Sequence, residues 1–318
     1  MRRLSLALRF VAASLVLLLS AAAAHAQATR TWVSGVGDDA NPCSRTAPCK
    51  TFAGAISKTA INGEINCLDP GGFGAVTITK SITIDCHEVF ASILNSGTNG
   101  VNVPFDSFNA ADARKTVRLR NINFNGANTG VNGIRITGGA VIAGGVVLIE
   151  DCLVDGNFAG TARGISDERT GGGELYISRT TVRNTGAGIA VNPANGTVAG
   201  QRIDATFDDV RVQNASFGVA LGTNARVLIN RSVLSGNSQA GLIAATTFAP
   251  VEVNVSNTSV SNNATGVLNG GGAVTIRLTG NDIMFNATAL NGATQTFGNN
   301  RIEGNGAFGT PPTGVGLR

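Results

Sequence analysis

Large side chains are scarce in this chain of 318 residues, which has one Trp, one Tyr and two Met and is only 5% aromatic. A broad helical core needs such side chains to fill the space between packed helices, so a helical bundle is excluded. Charge is sparse as well, at 14% of residues. No Cys-x-x-Cys occurs, and His87 is the single histidine beyond the first 26 residues, so the usual ligand spacings of a metal site are missing. No run after Ala26 is apolar enough to cross a bilayer as a helix.

The one long apolar run lies at the start. Arg2 and Arg3 precede an uncharged stretch from Phe10 to Ala24, and Ala24-His25-Ala26 supplies small residues around a cut. This is the pattern of a signal peptide cleaved near Ala26, and it predicts a secreted or periplasmic protein with no transmembrane segment in the mature chain. Removing residues 1–26 leaves 21 Lys and Arg against 20 Asp and Glu, a net charge of +1. The basic balance therefore belongs to the leader, and nothing in it points to nucleic acid as a partner. In an oxidising compartment Cys43 and Cys49 can close the loop "CSRTAPC", and Cys67 and Cys86 can clip neighbouring strands, leaving Cys152 over.

What is abundant is Gly, at 42 residues, together with Asn, Thr, Val and Ile. Small and β-branched side chains suit narrow strands joined by tight corners. The strands repeat. Phe124, Val154, Val182, Val212, Leu234, Val260, Ile283 and Ile302 are equivalent apolar anchors, 19 to 30 residues apart. Five residues before them stand Leu119, Ile149, Ile177, Phe207, Ile229, Val255, Leu278 and Phe297, apolar in every case. Seven before stand Val117, Val147, Leu175, Ala205, Val227, Val253, Ile276 and Gln295, of which only Gln295 is polar. Polar or small residues alternate with these columns in most repeats, so each repeat carries a strand with one inward face.

Two or three residues after the anchors come Asn184, Asn214, Asn237, Asn262, Asn263, Asn286 and Asn305. A Gly then precedes an apolar residue at Gly130-Val131, Gly164-Ile165, Gly188-Ile189, Gly218-Val219, Gly241-Leu242 and Gly266-Val267. Asn tolerates the left-handed conformation, and stacked Asn amides can bond one another at the strand repeat of about 4.8 Å. A hairpin array would repeat near ten residues; units mostly over twenty that superpose without reversal predict a solenoid of parallel strands. Cys152 falls in an inward column and is expected to be a buried thiol filling a narrow coil.

The repeats "VNVSNTSVSNNATGV" and "ATFDDVRVQNASFGV", with the opening "DDANPCSRTAPCKTFAGAI", resemble the right-handed parallel β-helix proteins of the pectin-lyase-like superfamily. The resemblance implies an all-β, single-stranded right-handed parallel β-helix with a short N-terminal capping helix over about Thr51–Ala60. The expected organisation is a signal peptide over 1–26, a cap segment over 27–63, the β-helix over 64–310 and a tail over 311–318. Enzymes of this superfamily that cut polysaccharides work in a shallow groove on one sheet, between loops of uneven length. The excursions "GTARGISDERTGGGE" and "NPANGTVAGQRID" are therefore the natural places for binding.

Outward positions in the same coils hold Glu150 and Asp208, two coils apart at about 9.6 Å, and also Tyr176 and Arg183. That separation is near the span of an inverting glycosidase, while a lyase would use acidic calcium ligands and Arg183 or Tyr176 as base. Against hydrolysis, the Gly-His-Gly and Arg-Ile-Lys stretches of the polygalacturonases that the fold resembles are absent. Outward charges on a solenoid more often form weak surface pairs, as expected of Glu150 and Arg120 on adjacent coils. The reading is thus a monomeric β-helix that binds polysaccharide or a cell-surface glycan, with no cofactor and no defined catalytic set. The alternative is a polysaccharide lyase, in which calcium would enter.

Overall fold

The computed structural model describes residues 27–87, 89–139, 144–158, 161–191 and 201–316. The leader over 1–26 and most of the excursion "NPANGTVAGQRID" lie outside these residues. Every strand pairing among the described residues is parallel, and the strands stack coil on coil into a right-handed parallel β-helix. One sheet has twelve strands, from Ala28–Val33 to Thr313–Gly314, which sets a rod about 50 Å long. Eighteen strands form a second hydrogen-bonded surface that bends through a corner. Thr181–Val191 and Arg211–Leu221 run unbroken through that corner and join its two rows, the anchor row and a third row.

The columns read from the sequence are the columns of the core. Phe124 pairs with Val154, Val154 with Val182, Val182 with Val212, and so on to Ile283 with Ile302. Leu119, Ile149, Ile177 and Phe207 stack in the same way in the twelve-stranded sheet, and all four are buried. The last coil departs by one residue: Leu278 pairs with Thr296 and Arg277 with Gln295, so Phe297 and Gln295 fall outside the expected columns. The cause is length. Only 18 residues separate Leu278 from Thr296, against 19 from Ile283 to Ile302, and a one-residue slip moves each side chain to the other face.

The asparagine corner divides its work between neighbours. Asn184, Asn214 and Asn262 adopt positive φ of 52°, 52° and 57° and make the bend. The next position carries the ladder. Asn237 donates to Asn263 at 2.8 Å, Asn263 to Asn286 at 2.9 Å and Asn286 to Asn305 at 3.0 Å. These amides also accept backbone N–H groups that the turn would otherwise leave unbonded. A second polar ladder lines the preceding corner, where Thr258, Asn281 and Asn300 each accept a backbone N–H from the coil before.

After the corner, glycine is required by contact. A methyl group at Gly188 would lie 2.6 Å from the Gly218 carbonyl oxygen, and one at Gly218 would lie 2.4 Å from that of Gly241. The first expected member is Gly130-Val131, but Ile134 is the residue that pairs with Ile165 and with Val101, so the column runs through Gly133 and back to Gly100. Gly130 instead sits in a longer turn, its N–H donating to the Gly126 carbonyl.

At the N-terminal end the helix Phe52–Lys58 is capped by the Thr51 side chain, which accepts the Gly54 N–H, and it buries Phe52 and Ala55. Phe52 packs on Phe73 with ring centres 5.1 Å apart. The strand Ala28–Val33 precedes this helix and already pairs in the twelve-stranded sheet. Two disulfides are present, Cys43–Cys49 and Cys67–Cys86, and Cys152 is a buried free thiol. Such bonds persist in oxidising compartments. No helix among the described residues is long and apolar enough to cross a membrane.

Candidate functional site

Parallel stacking displays outward side chains in straight files, and the twelve-stranded sheet carries two of them across its face. One file runs Arg118, Leu148, Tyr176, Thr206, Leu228 and Asn254. The other runs Asp85, Arg120, Glu150, Ser178, Asp208 and Asn230. Tyr176, Glu150 and Asp208 therefore share one face. Arg183 does not. It lies past the left-handed bend at Arg179, in the anchor row, where it pairs with Asp155 at 2.9 Å.

Each sequence-predicted group has a partner that restrains its chemistry. Glu150 lies between Arg118 at 2.8 Å and Arg120 at 3.1 Å, and Arg120 reaches on to Asp85 at 2.7 Å. Asp208 accepts from Arg231 and, at 3.0 Å, from Asn230. The Tyr176 hydroxyl donates to Glu174 at 2.8 Å, and this bond to a carboxylate holds the phenol above its ordinary pKa. A phenol raised in this way is a poorer base near neutral pH.

Beside Tyr176 lies a shallow groove of about 250 Å³ bounded by Asp204, Thr206, Arg226, Leu228 and Asn254. Tyr176 is 41% exposed and Leu228 40%, so both offer apolar surface within a polar frame. Asp204 is fixed by Arg202 at 2.9 Å and Arg226 at 2.7 Å. Five strand intervals away, about 24 Å along the same sheet, a second pocket of about 430 Å³ is lined by Arg30, Trp32, Arg45, Asn66, Asp85 and His87, among others. The two disulfide-closed segments contribute its walls, since Arg45 sits in the Cys43–Cys49 loop and Cys67 lines the floor. The sequence shows a single Trp but nothing that places it in the file of Asp85 and Glu150; only the pairing of Trp32 with Asn66, and of Asn66 with Asp85, does so.

The excursion "GTARGISDERTGGGE" forms a different feature on the third row. Its Arg163 and Glu168 join Arg135, Asn132 and Asn99 around a cleft of about 390 Å³, and the buried Ser166 hydroxyl bonds to both from behind. Its inward Asp167 and Arg169 are fully buried and bonded through two nitrogens, with Arg169 also donating to the Gly145 and Glu174 carbonyls and lying over the Phe105 ring at 5.2 Å. Both side chains are sealed from solvent. Cys152 is likewise inert: burial pushes its thiol up to about 12. Among the described residues no group of three His, Cys, Asp or Glu is placed to hold a metal ion.

No protein-family model matches the chain, and no curated protein matches its sequence. Solved structures do. The A-module of the mannuronan C-5 epimerase AlgE4 of Azotobacter vinelandii is 11% identical over 80% of this chain and 87% of its own, with a TM-score of 0.50. The GH136 lacto-N-biosidase from Eubacterium ramulus is 11% identical over 91% of this chain and 68% of its own, also at 0.50. Pectate lyase Pel9A is 13% identical over 90% and 77%, at 0.43. At such identity the likeness is one of fold: a right-handed parallel β-helix.

Proposed function

We propose that the protein is an exported β-helix that binds polysaccharide along the outer face of its twelve-stranded sheet and does not cut it. The observation that carries this reading is the groove at Tyr176 and Leu228, where exposed apolar surface is framed by the hydrogen-bonding groups of Thr206, Asn254, Asp204 and Arg226. A sugar ring presents apolar C–H faces and polar edges, and such a frame meets both. Trp32 supplies a second aromatic surface at the start of the same sheet. A strand repeat of about 4.8 Å lets successive sugars of an extended chain meet successive coils along a file.

Binding without cleavage follows from the pairing of the acidic groups. Glu150 and Asp208 each hold an arginine partner, and Arg183 faces away on another sheet. Binding of this kind needs no cofactor and is complete in one monomer. Export is supported by the leader over 1–26 and the two disulfides. By their names, the epimerase and the lyase of like fold act on mannuronan and pectate, which is compatible with a glycan partner; the argument for one rests on this chain's own side chains.

The test is retention on immobilised pectate, alginate and galactan, together with absorbance of unsaturated product with and without calcium. Retention without product is expected. Product formation would favour the lyase reading, and no retention on any of a broad glycan panel would end both.

A further inference from the structure

The cleft on the third row lies on a different sheet from the Tyr176 groove and is built from different chemistry. Glu168 accepts from Arg135 at 2.8 Å and from Ser166 at 2.8 Å, and Arg163 reaches both Ser166 at 2.9 Å and Glu168 at 3.4 Å. Beside this fork, Asn132 donates to Asn99 at 2.8 Å. One carboxylate thus fixes two guanidiniums, each of which carries five N–H donors, so donors remain for a ligand. The Asn99 amide N–H groups add more, and Glu168 supplies acceptor lone pairs. No aromatic side chain lines the cleft. A pocket of about 390 Å³ with donors and acceptors on one rigid frame, and one positive charge in excess, fits a hydroxyl-rich sugar ring held by its edges.

We propose that this cleft is a second saccharide site and that one molecule therefore holds two polysaccharide strands at once and bridges them. The proposal rests on the reading of the Tyr176 face given above. The rod is rigid and its sheets face different ways, so a strand stretched along the twelve-stranded sheet does not pass over the third row. Each site can be weak, because two sites on one body raise the effective concentration of the second strand and give bridging through avidity. The cleft also keeps its charge in acid. Burial raises the Glu168 pKa, but the bonds from Arg135 and Ser166 and the charges of Arg135 and Arg163 outweigh it and hold the carboxyl below its usual range.

Bridging has a signature that single-site binding lacks. Light scattering of soluble pectate, alginate and galactan titrated with the protein should rise and then fall as excess protein saturates every strand separately. Arg135→Gln and Asn99→Ala change only the cleft and should lower the scattering maximum at least tenfold, while retention on the same immobilised glycan stays within twofold of wild type. Tyr176→Ala should lower both. Retention without any scattering maximum overturns bridging and leaves the single-face reading intact, as does a maximum indifferent to both cleft substitutions. Failure of retention itself removes both.

Discussion

Replacing Asn263 by Ala tests whether the corner ladder holds the coils together. Asn263 is 3% exposed, and its amide takes part in four hydrogen bonds: it donates to Asn286 and to the Leu234 carbonyl, and it accepts from the side chain and the backbone N–H of Asn237. Each such bond contributes about 1 kcal/mol net. The substitution should therefore cost about 4 kcal/mol, about half of it from the Asn237 N–H groups left buried without a partner. Its neighbour is the control. Asn262 is exposed with φ of 57°, so Asn262→Ala should cost only roughly 1–2 kcal/mol of left-handed strain. Urea unfolding followed by far-UV circular dichroism, with amide exchange of residues 233–291, measures both; Trp32 fluorescence watches the opposite end of the rod. Equal losses in the two variants would show that the ladder adds nothing beyond the bend.

Arg169→Met should destabilise by about 3–5 kcal/mol because it strands the buried Asp167 carboxylate, and the double variant with Asp167→Leu should recover much of the loss in the same urea assay. Cys152 should resist iodoacetamide in the native protein and label only as fast as the coil opens. Its folded pKa of about 12 stands above the ordinary 9.0, so its contribution is complete below pH 9 and lost as pH climbs towards 12; labelling at the free-thiol rate would contradict its burial. Asp112 behaves oppositely. Burial raises its pKa, but bonds from Ser81 and the backbone N–H groups of Lys115 and Arg114 lower it further, so the folded value is depressed. The stability it adds is present above the usual carboxylate pKa and lost as pH falls through the lower folded value, and Asp112→Asn should flatten that acid limb in pH-dependent melts.

The solenoid was legible because its core is periodic. One apolar anchor per coil predicts its neighbours, and the pairs from Phe124 to Ile302 follow from that column alone. The second corner ladder was not legible, since Ser232, Thr258 and Asn281 perform one task with three side chains and no single letter repeats. Gly130 falls outside the glycine column, which runs through Gly100, Gly133 and Gly164, because a longer turn intervenes there, and turn length cannot be read from an apolar pattern. At the candidate site, the placing of Glu150, Tyr176 and Asp208 on one sheet face, in two neighbouring files, came from register. Of their partners, Arg120 directly opposite Glu150 followed from the same register, whereas the others did not, because an arginine can lean towards either adjacent coil or across the file. Glu150 takes Arg118 diagonally, and that choice depends on rotamers rather than on spacing.

The proposed binding face is tested most directly by affinity electrophoresis in gels containing pectate, alginate or galactan, comparing wild type with Trp32→Ala and Tyr176→Ala. Wild type should be retarded in at least one gel, and each variant should weaken the retardation about tenfold, on the order of 1.4 kcal/mol per aromatic surface removed. Retardation that survives both substitutions unchanged would place the glycan elsewhere and contradict the account.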